Sequence, residues 1–383
     1  MIYLLVFFVS TLLFIYSEKF ENRKRLVIEI LAVMILCILA GSRNGSVGTD
    51  TGGYLQPLIY SAINSENFED FLNSSWIASG WSERIVSQYE IGFTIFIYTI
   101  SKIFRSVFVS QFFVQLAIVL PVYYVLKHTQ KIPLWLGMLV FDFLLYNNTL
   151  NLIRQSVCNS LCFLVLFYWM KRDFKISLIW LLIAFFFHKS AVIELLIIGI
   201  YSIIDYMNTN KTKTGNKHFI NEYTIGVIII GIGVIFVVNI NTFIAILSSV
   251  GFKNYIGYLG GGNSIVFNLK QIINKLPALF IVIYNFKSYN KIKDSLGLFY
   301  IIMVSYWIIT SQFYGDTMVG GFLYGGRIGT FFIITNTLSF PEAIIVGKHR
   351  NFQSVFLISY LLIYWWYYFV YSGVDATLPF SLI

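Results

Sequence analysis

The sequence predicts an all-α, polytopic helical membrane protein, and three observations carry that prediction. Hydrophobic residues make up 57% of the 383-residue chain and charged residues 12%, about half the charged share of a soluble domain. Apolar runs long enough to cross a bilayer recur from end to end. The basic residues gather in the short loops between those runs, as the positive bias of cytoplasmic loops requires. The expected architecture is a single integral membrane domain over residues 1–383 with about 12 transmembrane helices. One further segment is re-entrant or interfacial, and an outer loop carries short helices. The net charge of +9 comes from the loops and is not a nucleic-acid signal. Cys37, Cys158 and Cys162 fall inside apolar segments and the histidines show no ligand spacing. No disulfide, metal centre or cofactor is therefore expected.

Residues 2–16 lack a basic leading region and a small-residue cleavage site, so they read as a retained first helix. Lys19, Arg23, Lys24 and Arg25 outnumber Glu18 and Glu21 in the next loop. That places the loop in the cytoplasm and the N-terminus outside. Residues 26–40 return to the outer face and deliver GSRNGSVGTDTGGY, residues 41–54. The outer loop 43–89 holds five acids against two bases; within it, 55–63 and 68–77 read as surface helices. Trp76 and Trp81 suit the interface belt. Apolar runs follow at 91–103, 107–126 and 133–146, then a polar knot at 147–151 running into a helix over 153–170.

From Lys171 the alternation is regular. Residues 176–187, 223–250, 296–311 and 352–371 run outward, and 191–204, 269–286 and 327–346 run inward. Gly-rich outer loops fall at 251–268 and 312–326. An odd number of apolar segments joins two external termini. One segment between residues 89 and 147 therefore does not cross, and 91–103 is among the shortest candidates.

Polar groups recur on the outer side. In 41–54, glycines let backbone N–H groups turn inward as an anion-binding nest, and Arg43 adds a fork of donors matched to phosphate oxygens. The alternative is a flexible loop with one snorkelling arginine. Arg154 lies in an apolar helix, where burial without a partner is expensive. Asn151, Arg154, Gln155 and Cys158 follow the spacing of one helix face. Such a face lines a binding site or an interhelical hydrogen-bond cluster. His188 ends an outgoing helix, and Arg327 opens an incoming one or anchors it at the interface. Asp142 and Glu194 are acids inside apolar runs. Three arginines with no lipid-facing role imply a ligand with several negative oxygens, such as a lipid-linked diphosphate. Asp50 or His188 can accept a proton from a hydroxyl. No phosphate-cradling Walker motif, zinc motif or serine-hydrolase elbow is present.

The order of short motifs is familiar. Arg43, Gly48, Thr49, Asp50 and Tyr54 form R-x-x-x-x-G-T-D-x-x-x-Y. Glu90-Ile91-Gly92-Phe93, Leu152-Ile153-Arg154-Gln155, Phe186-Phe187-His188-Lys189-Ser190, and Arg327 before Phe331-Phe332 and Pro341 follow in turn. This succession resembles the EpsG-like branch of Wzy-type polysaccharide polymerases. Phe331 stands where that pattern has tyrosine, and no Ala-rich run follows Arg154-Gln155.

The resemblance implies a membrane glycosyltransferase at the outer face of the bacterial inner membrane. It would move a growing glycan from undecaprenyl diphosphate to the non-reducing end of a lipid-linked repeat unit. It implies Arg43, Arg154 and Arg327 as diphosphate-binding groups and His188 or Asp50 as the base, with His188 favoured. Thr49, Tyr54, Glu90, Asn151 and Gln155 are supporting residues. The implied partners are the undecaprenyl-diphosphate-linked oligosaccharide, membrane lipid, a chain-length regulator and a flippase. An O-antigen ligase would share the arginines and the histidine, but the motif order argues against it. A flippase or transporter would show internal repeats and broken helices at mid-membrane, and the sequence shows neither.

Overall fold

The computed structural model describes residues 1–78, 83–129, 132–214, 222–238, 269–289, 296–312 and 325–383. Trp81, the Gly-rich loop 251–268 and nearly all of the loop 312–326 lie outside them. The fold is all-α and polytopic. Val107–His128, Lys189–Thr209, Arg327–Val346 and Arg350–Tyr371 are long and apolar enough to cross a membrane, and shorter apolar helices accompany them. The chain forms two compact units, Met1–Glu194 with Ile358–Ile383, and Leu195–Leu357.

In the first unit, helices α1 (Ile2–Ser17) and α2 (Asn22–Gly41) pack antiparallel, Ser10 Oγ donating to the Ala32 carbonyl at 3.2 Å. Tyr3, Phe7 and Phe14 of α1 are buried, whereas Leu5, Phe8 and Leu12 are exposed. A helix that is apolar on its exposed face belongs in lipid. Buried Glu29 of α2 accepts from Lys127 Nζ and Tyr123 Oη at 2.7 Å each, and from Arg25 Nε at 2.8 Å. This ties the α1–α2 turn to the end of α6 (Val107–His128), which therefore runs antiparallel to α2.

Next come α7 (Leu134–Leu144), α8 (Tyr146–Asn151), α9 (Ile153–Met170) and α10 (Phe174–Phe187). Every residue of α9 from Gln155 to Phe167 is buried, as expected of a helix enclosed by its neighbours. Gln115 Nε2 donates to Thr149 Oγ1 at 2.9 Å and Tyr124 meets Tyr168 at 3.0 Å, so α6 and α9 run parallel. Lys19 to Arg25, Lys127, His128, Lys171, Arg172 and Lys175 consequently share one end of this unit. The stretch 41–54 occupies the other.

The loop after α2 is folded. It contains a π-helical turn (Thr51–Leu55), α3 (Gln56–Asn64), α4 (Phe68–Asn73) and a hairpin of β1 (Ser75–Ile77) and β2 (Glu83–Ile85). Trp76 pairs with Arg84 across the hairpin. The helix expected over 68–77 thus ends at Asn73. Asn67 caps its start by accepting from Asp70 N–H, and the Trp-Ile pair that follows favours a pleated strand. Tyr54, Leu58, Ile59, Phe71, Val86 and Phe93 close a buried cluster beneath this loop. Each such side chain contributes roughly 1.5–3 kcal/mol.

Helix α5 (Ile91–Phe104) is the first of the apolar runs between residues 89 and 147. Its first turn meets the end of α10, where a Cβ on Gly92 would lie 2.7 Å from the Phe186 carbonyl. Its last turn meets the first turn of α6, Ser101 Oγ lying 3.1 Å from Ser110 Oγ. Lys102 Nζ donates to the Ser65 carbonyl at the end of α3. Both ends of α5 therefore lie at the end of the unit that holds residues 41–54. Phe93, Ile97 and Ile100 face inward while Ile91, Ile95 and Ile103 are exposed, the pattern of a helix lying along an interface.

Asn151 ends α8, and Leu152, with φ −90° and ψ 55°, breaks the helix before α9. The polar face expected over Asn151, Arg154, Gln155 and Cys158 is accordingly not continuous. The tail, expected simply to end outside, folds back onto residues 42–48: Asn44 N–H donates to the Ser381 carbonyl at 2.8 Å and Ile383 N–H to the Ser42 carbonyl at 3.0 Å.

The second unit contains most of α11 (Ile193–Thr214), α12 (Glu222–Val238) and the helices Leu269–Tyr284, Gly297–Thr310, Gly325–Ile333 and Asn336–Val346. Buried tyrosines stitch it together. Tyr306 Oη donates to the Ile229 carbonyl at 2.7 Å, Tyr300 Oη to Glu342 at 2.8 Å and Tyr289 Oη to the Ser339 carbonyl at 2.9 Å. The expected helix 327–346 turns at Ile334 and Thr335. There, hydroxyls of Thr335 and Thr337 bond back to Phe332 and Ile334.

Candidate functional site

The end of α2 sets the first part of the site. Arg43 is only 1% exposed. Its Nη1 donates to the Ala40 carbonyl at 2.6 Å and its Nε to Thr51 Oγ1 at 3.0 Å, while Nη2 has no hydrogen-bond partner. Burial pulls its pKa down to about 10, so the group stays cationic at neutral pH. Gln111 Nε2 donates to the carbonyls of Gly41 and Arg43 at 2.9 and 3.0 Å. Gly48 adopts φ +79°, and a Cβ there would sit 2.4 Å from the Leu150 carbonyl, so the turn needs glycine for both conformation and space.

That turn presents the Thr-Asp pair to α8. Thr49 Oγ1 donates to Asn151 Oδ1 at 2.7 Å, and Asp50 N–H donates to the same oxygen at 3.3 Å. Tyr54, one turn on, donates its hydroxyl to Asp50 Oδ2 at 2.9 Å. Burial, then the Asp50 charge, holds the Tyr54 phenol well above its ordinary pKa, so it remains a donor.

Arg154 opens α9 against this group. Its guanidinium lies 5.1 Å from the Tyr54 ring centre and 4.7 Å from that of Tyr89, a double cation–π contact. It also forms an ion pair with Glu90, the two side chains being 24% and 14% exposed. Its Nε is buried without a partner. Trp76 stacks on Tyr89 at 5.9 Å and donates to the Gly53 carbonyl at 3.1 Å. Arg84 Nη1 donates to Tyr89 Oη at 3.3 Å. Arg43, Thr49, Asp50, Tyr54, Glu90, Asn151 and Arg154 are thus assembled into one network at the end of the first unit. Gln155, next on α9, is buried.

His188 caps α10 one turn below Arg154, Cys158 Sγ lying 3.5 Å from the His188 carbonyl. Its Nδ1 lies 2.5 Å from Ser190 Oγ and accepts the Ser190 N–H at 3.2 Å. A backbone N–H can only donate, so Nδ1 is the acceptor and the neutral ring carries its proton on Nε2. Arg327 stands in the second unit, in the first turn of Gly325–Ile333, and its carbonyl accepts Thr330 Oγ1 at 2.7 Å.

Sequence reasoning missed Tyr89, Gln111, Asn148 and Asp375. Asp375 accepts from Asn151 Nδ2 at 2.9 Å and from Asn148 Nδ2. It is the only acid after Glu342 in the sequence, which was the available signal.

The family model described as EpsG family matches residues 26–382. No curated protein and no solved structure matches the chain.

Proposed function

The chain belongs to the EpsG family, a Wzy-like polymerase-type family of polysaccharide biosynthesis, and from that premise we propose that it polymerises a lipid-linked glycan. The acceptor hydroxyl of a new repeat unit attacks the anomeric carbon of the donor glycan. The bond from that carbon to the undecaprenyl diphosphate breaks, the diphosphate leaves with the electron pair, and the hydroxyl proton passes to the enzyme. The basic end of the first unit faces the cytoplasm and the network around Arg154 faces outward.

The observation that carries this reading is Arg154 set against the rings of both Tyr54 and Tyr89, whose centres lie 5.3 Å apart, beside Asp50. The partly exposed fork takes the diphosphate oxygens as charge develops on them, and Glu90 orients it. Asp50 is assigned as the base, in preference to His188, because Asp50 lies with Tyr54 beside Arg154 whereas Nδ1 of His188 is engaged by Ser190. Buried Arg43 holds the Gly48–Asp50 turn rather than touching substrate. Trp76, stacked on Tyr89, offers its remaining aromatic face to a sugar ring.

The test is polymer formation by the protein in vesicles supplied with a lipid-linked repeat unit. Arg154→Lys keeps the charge but loses the fork. It should cost about 2 kcal/mol of transition-state stabilisation, a rate loss of roughly thirtyfold. Repeat units left unpolymerised by the unaltered protein, or full-length polymer from Arg154→Lys at the normal rate, would overturn the reading.

A further inference from the structure

The tail 373–383 is built into the network around Asp50, and we infer that Asp375 is a positioning residue for the transfer reaction proposed above. Asn151 is its lever. The Asn151 side chain turns its Oδ1 to Thr49 Oγ1 and Asp50 N–H and its Nδ2 to Asp375 Oδ1. A flipped amide would set its NH2 against the Asp50 N–H and its oxygen against a carboxylate. Both contacts would repel, so Asp375 fixes which way Asn151 faces. Asn148 donates to the other Asp375 oxygen, Oδ2. One carboxylate in the tail therefore orders the break between α8 and α9 and, through it, the main chain of Asp50.

The segment carrying Asp375 is held from several sides. Gly48 N–H donates to the Ala376 carbonyl at 2.9 Å. Asn147 Nδ2 donates to Thr377 Oγ1 at 2.9 Å, and Tyr3 Oη donates to the Thr377 carbonyl at 2.9 Å. Asp375 and Ala376 adopt φ +68° and +50°, a left-handed backbone that L-residues avoid unless their surroundings impose it. The strain places the Asp375 carboxylate between two asparagines on a different element more than 220 residues earlier. The role rests on the polymerase reading, because Asp50 is the base only there.

The experiment uses full-length protein in vesicles with a polyprenyl-diphosphate-linked repeat unit, scored by product length and initial rate. Polymer from the unaltered protein is required; its absence overturns the polymerase reading and this inference together. With polymer formed, Asp375→Asn should lower kcat about tenfold while KM stays within about threefold, since the substrate contacts remain and only the base is displaced. Asp375→Glu should recover most of the loss. Asn151→Ala should fall about as far, and the double variant no further than the weaker single one. An unchanged kcat in Asp375→Asn overturns the inference and leaves the polymerase reading intact. So do losses that multiply in the double variant, or a loss confined to KM. Should Asp375→Asn fail to assemble in detergent, Asp375→Glu and Asn151→Ala carry the test as single variants, the first near the parental kcat and the second about tenfold below it. A Glu variant as poor as Asn151→Ala, or Asn151→Ala at the parental kcat, then overturns the inference.

Discussion

At the scale of single residues, two side chains nominated for one role by the sequence, His188 ahead of Asp50, divide by their hydrogen bonds. Asp50 presents an acceptor oxygen held by Tyr54, whereas His188 spends Nδ1 on Ser190. Asp50→Asn should therefore lower the polymerisation rate by about 10² to 10⁴, the range for a lost general base. His188→Gln should keep it within about tenfold. Comparable losses in both variants would return the base to the histidine. Tyr54 adds a pH signature. Its phenol is ordinarily half-ionised at pH 10.0, and burial followed by the Asp50 charge holds it neutral well above that in the folded chain. Below about pH 10 the group is neutral folded or unfolded. Above it only the unfolded chain ionises, so the stability Tyr54 confers is lost as pH rises. The stability advantage over Tyr54→Phe should shrink above about pH 10; thermal unfolding of both proteins across that range checks it, and a constant gap would count against it.

At the scale of elements, the opening motif is a turn first and a set of ligands second. Gly48 has a left-handed φ and faces the Leu150 carbonyl, and Arg43 and Thr51 tie the two sides of the turn. Gly48→Ala should destabilise the folded protein by at least about 2 kcal/mol, seen as a lower midpoint in detergent unfolding. A midpoint unchanged from the parent would mean the α8 carbonyl can yield. The sequence identified this motif because glycine, arginine and acid at fixed spacing are rare at the end of an apolar run. It did not disclose that Arg43 turns inward, because burial of a side chain depends on what covers it. Here Ala40, Thr51 and the returning tail do so. Nor did it separate Asn151 from Arg154, since helical spacing is blind to a break at Leu152.

At the scale of the molecule, the arrangement of the first unit implies sidedness. Both ends of α5 lie with residues 41–54, opposite the basic turns, the arrangement expected of an interfacial helix rather than a span. Single cysteines replacing Gln88 and Arg105 should both react with a membrane-impermeant maleimide on intact cells, and one replacing Lys24 only after permeabilisation. Labelling of the two α5 ends from opposite sides would restore it as a crossing. The second unit carries Arg327 and its own buried tyrosine bonds.

Class, family resemblance and most of the apolar segments were legible in the chain itself, because hydrophobic runs and clustered bases are local and bilayers impose them. Only the tertiary structure decided which polar groups meet. Glu90 reaches Arg154 and Asp375 reaches Asn151 across 64 and 224 residues. It also decided that both ends of α5 lie beside the motif, and that the tail closes on it. Those outcomes depend on packing and hydrogen-bond pairing between distant segments, which no local periodicity records.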